Sequence, residues 1–184
     1  MIQDLVISGG NVYAHAANTT NRCFAGIGTG LLLMDDTPSA QTANITISGG
    51  TVRAVGSSGI HVMRGEVVSP GIGQCVSGYE FQSSNIFNIA ITGGTVTTET
   101  SAYYEEVPAG YGIDAHELTI SGGSVNAEQG SGISADKLVI GTNSPVIRTS
   151  AVVGDTSYET DSNTQGIVFL GNTGTVYGDV VLSE

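Results

Sequence analysis

A chain of 184 residues has room for one domain with a continuous core, and its 27 glycines, lack of tryptophan and wealth of Thr, Val, Ile and Ser favour strands over helices. Seventeen acidic residues against five basic ones (Arg22, Arg53, Arg64, Lys137, Arg148) leave a formal net charge of −12. That balance disfavours nucleic acid and anionic membrane surfaces as partners, and leaves a calcium bridge as the route by which such a surface holds a polyanion.

No apolar run is long enough to cross a bilayer as a helix, and Met1 to Gly10 lacks the basic start and apolar core of a secretory signal. A sequence repeat begins at Leu5, so residues 1–184 read as a single domain cut from a longer protein. Cys23 and Cys75 lack the paired spacing of a zinc site and read as buried thiols or as one disulfide.

The repeat dominates the chain. LVISGGNVYA starts at Leu5, ITISGGTVRA at Ile45, IAITGGTVTT at Ile89 and LTISGGSVNA at Leu118, with a degraded copy, LVIGTNSPVIR, at Leu138. Each copy is an alternating apolar strand, a small-residue corner and a β-branched restart. A glycine-isoleucine strand follows each: AGIGTG at Ala25, PGIGQC at Pro70, GYGIDA at Gly110, GSGISA at Gly130 and QGIVFLG at Gln165. The most compact unit, residues 118–137, holds three short strands whose apolar residues alternate with polar ones.

Identical strands recurring in the same order stack parallel, which predicts a solenoid with ladders of like residues. The predicted ladders are Leu5, Ile45, Ile89, Leu118 and Leu138; Ile7, Ile47, Ile91, Ile120 and Ile140; Val12, Val52, Val96 and Val125; and Ile27, Ile72, Ile113 and Ile133. The corner pairs Gly9/Gly10, Gly49/Gly50, Gly93/Gly94 and Gly122/Gly123 stack at one edge, with Ser8, Ser48, Thr92 and Ser121 as a row of hydroxyls bonding to neighbouring backbone. The fold class is all-β: a right-handed parallel β-helix of about five to six rungs with three strands per rung.

Loops are expected at His15 to Phe24, Leu31 to Ala43, Val55 to Ser69, Val76 to Phe87 and Thr98 to Pro108, with a polar insertion between Arg148 and Gln165 and an imperfect last coil from Gly166 to Glu184. Val176 extends the valine ladder in that coil, and Val180 and Leu182 form its last strand.

ITISGG corners followed by GIG third strands resemble a family of secreted or surface-attached bacterial β-helix proteins that includes a clostridial pectin-binding domain. The resemblance spans Leu5 to about Ile140. It implies a right-handed β-helix, an extracellular or cell-surface location, and affinity for acidic polysaccharide assisted by calcium. Its matching residues determine the fold, and none of the family's ligand residues is carried over.

Function is expected in what the repeat leaves out. TETSAYYEEVPAGYGIDAHE, Thr98 to Glu117, concentrates carboxylates and tyrosines. Glu105, Glu106, Asp114 and Glu117 are candidate metal ligands, since carboxylates with backbone carbonyls suit calcium, and Tyr103, Tyr104 and Tyr111 are candidate stacking faces for sugar rings. A segment with Asp155, Tyr158, Glu159 and Asp161 has a similar make-up. His15 and His61 read as exposed or structurally bonded.

Enzymatic alternatives are weaker. Asp35-Asp36 is the only adjacent Asp pair and lacks the companion motifs of a polygalacturonase. A pectate-type lyase needs an Arg or Lys base, but register places Glu117 beside Lys137 and His116 beside Asp136, which reads as cross-rung ion pairing. The expected function is therefore a non-catalytic carbohydrate-binding or adhesin-type domain with a polysaccharide or cell-surface glycan as partner. A pectate lyase and a plain structural stalk are the alternatives.

Overall fold

The computed structural model describes residues 4–17, 24–28, 42–61, 65–77, 86–102, 110–127, 132–141, 145–149, 152–153 and 157–160. They form sixteen strands: β1 (Asp4–Ile7), β2 (Asn11–His15), β3 (Ile27–Gly28), β4 (Thr42–Ile47), β5 (Thr51–His61), β6 (Gly65–Val68), β7 (Ile72–Gly73), β8 (Val76–Ser77), β9 (Ile86–Ile91), β10 (Thr95–Ala102), β11 (Ile113–Ile120), β12 (Ser124–Ala127), β13 (Ile133–Ile140), β14 (Val146–Thr149), β15 (Val152–Val153) and β16 (Ser157–Thr160).

Equivalent strands of successive repeats pair parallel and in register. The first strands stack in the order β1, β4, β9, β11, β13 and β16, and the second strands as β2, β5, β10, β12 and β14. The third strands stack as β3, β7, β11, β13 and β15. This all-β, mostly parallel stack has the arrangement of a parallel β-helix.

All four ladders form as expected, and three reach further. Ile147 continues the valine ladder opposite Val125, Val152 stands opposite Ile133, and Tyr158 stands opposite Leu138. The ladders share one core, in which Ile47, Val52, Ile72, Ile91, Val96, Ile113, Leu118, Ile120, Val125 and Ile133 have no exposed surface. Each such side chain contributes about 1.5–3 kcal/mol of burial.

The corner glycines have a conformational cause. Gly10, Gly50, Gly94 and Gly123 have φ of 79°, 83°, 84° and 79°, a region L side chains avoid. A Cβ on Gly50 would sit 2.5 Å from the Gly10 carbonyl oxygen, which accepts the Thr51 amide at 2.8 Å. Main-chain amides make the rung-to-rung bonds on the other side of the corner: Ser48, Thr92, Ser121 and Gly141 donate to the carbonyls of Ile7, Ile47, Ile91 and Ile120. Ser8, Ser48 and Thr92 are exposed at this corner, each one residue beyond the isoleucine ladder.

Three expectations change. The third strand of one coil runs directly into the first strand of the next in β11 and β13, because no insertion separates Ile113 from Leu118 or Ile133 from Leu138. Val55 to Ser69 is largely strand: β5 continues to His61, β6 returns antiparallel against it and β8 pairs antiparallel with β6. Gly56, Ser57, Ser58 and Gly59 allow this because they are small and buried, and a Cβ on Gly56 would meet the Pro70 carbonyl oxygen at 2.2 Å. The Ser69 amide donates to Ser58 Oγ at 2.9 Å, and the Ser69 hydroxyl lies 2.9 Å from the buried Cys75 thiol. Cys23 lies outside the described residues.

Within the insertion after Arg148, β15 (Val152–Val153) and β16 (Ser157–Thr160) are likewise part of the stack, since both pair with β13. Val152–Val153 stand opposite Ile133–Ser134, and residues from Gln165 onward lie outside the described residues.

Candidate functional site

Tyr103, Tyr104, Glu105 and Glu106 lie outside the described residues, as do Asp155 and Asp161. Tyr111, Asp114 and Glu117 are described. Thr98 to Ala102, expected to open the loop, are strand instead: β10 follows β5 in register as far as Ser58, and the Thr98 hydroxyl is buried against the Asn126 carbonyl at 3.5 Å. Tyr158 and Glu159 belong to β16 rather than to a loop.

Asp114 and Glu117 lie three residues apart on β11, a spacing that puts residues on opposite faces of a straight strand. Here the burial alternation breaks at His116 and Glu117, two consecutive exposed residues, so the strand turns there and both carboxylates lie outside the core. Asp114 stands opposite Ser134 on one side and Gly73 on the other. Its carboxyl is largely shielded from water, and this burial pushes its pKa up to about 6. A hydrogen bond from Ser134 opposes the shift, and the Asp136 charge adds to it. Next to it, His116 Nδ1 lies 2.8 Å from Asp136 Oδ2, the expected cross-rung pair.

Glu117 stands opposite Lys137 in register, but no ion pair within 4 Å joins them. On its other side is Asn88. A ladder of side-chain amides leads up to this point: Asn44 Nδ2 donates to Asp4 Oδ1 at 2.8 Å, and Asn88 Nδ2 donates to Asn44 Oδ1 at 3.1 Å. Asp4, an acceptor when ionised, orients the ladder so that each amide oxygen points to the next rung. The last of these, Asn88 Oδ1, is buried and has no partner among the described residues. The next side chain in its row is the Glu117 carboxylate, another acceptor. Asn88 and Glu117 thus put oxygen-bearing side chains at neighbouring positions of one row, and oxygen ligands suit a hard cation. No group of three or more His, Cys, Asp or Glu able to hold a metal occurs among the described residues.

The outer face of the second strands was missed in the sequence. Stepping one residue beyond the valine ladder gives the row Tyr13, Arg53, Thr97, Asn126 and Arg148. Arg53 donates through Nε and a terminal nitrogen to the two Glu99 oxygens, both at 2.7 Å, and its guanidinium lies 5.2 Å from the Tyr13 ring centroid. The Arg53 contacts hold the Glu99 carboxyl below the usual carboxylate range. Tyr13 and His15 stack with centroids 5.9 Å apart and planes 18° from parallel, so His15 has the structural contact expected of it. The signal was present as the residue after each ladder valine. Arg148 was hidden because Asn143, Ser144 and Pro145 replace the repeat's corner before it.

No curated protein and no solved structure matches the chain. A family model described as a Beta helix repeat matches residues 5–31, 45–73 and 118–135, the first, second and fourth copies of the repeat, and so supports a β-helix repeat family.

Proposed function

We propose that the chain is a non-catalytic, adhesin-type β-helix domain of a bacterial cell-surface or secreted protein, and that it binds carbohydrate. In this reading the coil is right-handed with about five to six rungs. Acidic polysaccharide is held through calcium at Asp114 and Glu117 together with Glu105 and Glu106, and sugar rings rest on Tyr103, Tyr104 and Tyr111. The likeness of the ITISGG and GIG repeats to a family containing a clostridial pectin-binding domain supports the choice of ligand.

The observation that carries the calcium reading is the buried, unpartnered Asn88 Oδ1 facing the rung of Glu117. A bound calcium supplies the positive charge that acceptors on neighbouring rungs lack, and it leaves coordination positions for uronate oxygens. Calorimetry with polygalacturonate, with and without calcium, tests the proposal. Calcium is expected to tighten binding, and Glu117→Gln to remove most of that gain, about tenfold in affinity. Failure to bind any acidic glycan in calcium leaves the stalk reading. Unsaturated product formed from pectate, and lost on Lys137→Ala or Arg148→Ala, makes the domain a lyase.

A further inference from the structure

We infer that the outward row Tyr13, Arg53, Thr97, Asn126 and Arg148 is a calcium-independent docking track for a polysaccharide that carries spaced carboxylates. The inference rests on the carbohydrate-binding reading above and assigns that ligand a second face, on the other sheet.

Charge points to the ligand. Of the three Lys and Arg among the described residues, two, Arg53 and Arg148, stand in this one row, and Lys137 is on β13 in the other sheet. A net charge of −12 describes the whole molecule, whereas ions screen interactions beyond roughly 10 Å; with the Arg53 charge met by Glu99, the Arg148 guanidinium sets the field around its own end of the row. The surrounding acidity opposes every polyanion, so affinity at this face has to come from direct contact between a guanidinium and a carboxylate, and a short uronate oligosaccharide brings fewer repelled charges than a long nucleic acid.

The row contains its own example of carboxylate capture. Arg53 grips Glu99 with two parallel hydrogen bonds of 2.7 Å, the fork geometry a guanidinium offers a carboxylate. Arg148 holds the same outward position three rungs along, is exposed, and has no ion pair with any described residue. A uronate carboxylate can take there the part that Glu99 plays at Arg53.

Shape points the same way. Tyr13 is 60% exposed although His15 stacks on its ring and the Arg53 guanidinium lies over it, so an aromatic side chain held in place by two neighbours stays open to a sugar. With about 4.8 Å between neighbouring strands, Tyr13 and Arg148 are separated by roughly 19 Å along the stack, enough for an extended oligosaccharide and too long for a single sugar. Beneath the row, the fully buried Val52, Val96 and Val125 hold the backbone, so the face is ordered before the ligand arrives.

Calorimetry with an oligogalacturonate of defined length, in the presence of a calcium chelator, tests the track. Wild-type protein is expected to bind, more weakly as salt is raised; Arg148→Glu and Tyr13→Ala are each expected to lose about tenfold in affinity, and Lys137→Ala to bind as wild type. Unchanged melting temperatures separate lost contacts from lost folding. Binding in chelator that Arg148→Glu and Tyr13→Ala leave intact, or binding seen only with calcium, overturns the track while the glycan reading stands. Absence of binding with and without calcium removes both.

Discussion

Asp114 illustrates how a single outward residue responds to its rung. Burial raises the pKa of its carboxyl from the ordinary 3.8 to about 6, so the folded chain binds a proton there that the unfolded chain releases. The stability contributed is full below the unfolded pKa and is lost as pH rises through about 6. Asp114→Asn is therefore expected to raise stability at pH 8 by about 1–3 kcal/mol and to flatten the melting-temperature profile between pH 4 and 6. An unaltered profile would exclude Asp114 as its source. Calcium binding that uses this carboxylate weakens below about pH 6 for the same reason. The Arg53–Glu99 pair is different in kind: half-exposed at the arginine, it orders the surface row more than it stabilises the fold.

At the scale of strands and corners, the repeat places its residues by two separate rules. Glycine is required where φ is positive and the previous rung passes close by. Gly50→Ala adds a Cβ 2.5 Å from a main-chain oxygen at φ 83°, so denaturant unfolding should show a loss of about 2–4 kcal/mol. The ladder valines obey burial instead. Val52→Asp places a charge between Val12 and Val96 in a core without polar partners, and should cost about 3–5 kcal/mol or prevent folding; an unchanged melting temperature would refute the ladder. The excursion of β5, β6 and β8 follows neither rule, because small buried residues let the chain fold back antiparallel beside the parallel stack.

For the molecule as a whole, an excess of twelve negative charges on 184 residues makes the folded chain repel itself. Added monovalent salt is expected to raise the melting temperature by several degrees as it screens that repulsion, a trend thermal unfolding at 20 and 300 mM salt would check. The same screening weakens binding at the Arg53–Arg148 row, so stability and chelator-resistant affinity should move in opposite directions with salt.

Much of this architecture could be read directly from the chain. Register follows from repeated alternation, because slipping a strand by one residue would expose an entire ladder, and the ladders from Leu5, Ile7, Val12 and Ile27 formed as expected. The cross-rung placement of His116 beside Asp136 followed from the same count. Residues outside the ladders were not legible in this way, since nothing in local pattern says where a backbone stops being strand. Thr98 to Ala102 and Val55 to His61 became strand because a neighbouring rung offered hydrogen-bond partners, and Val152 to Val153 became a rung because β13 lay beside it. Tertiary packing likewise shielded Asp114, left Asn88 Oδ1 without a donor and gathered Tyr13, Arg53 and Arg148 into one row. Ladder positions repeat the same residue type in each copy and so leave a periodic trace, whereas the outward row changes type at every rung, from Tyr13 to Arg53 to Arg148, and its contacts, such as Arg53 to Glu99 46 positions away, form only when the coils stack.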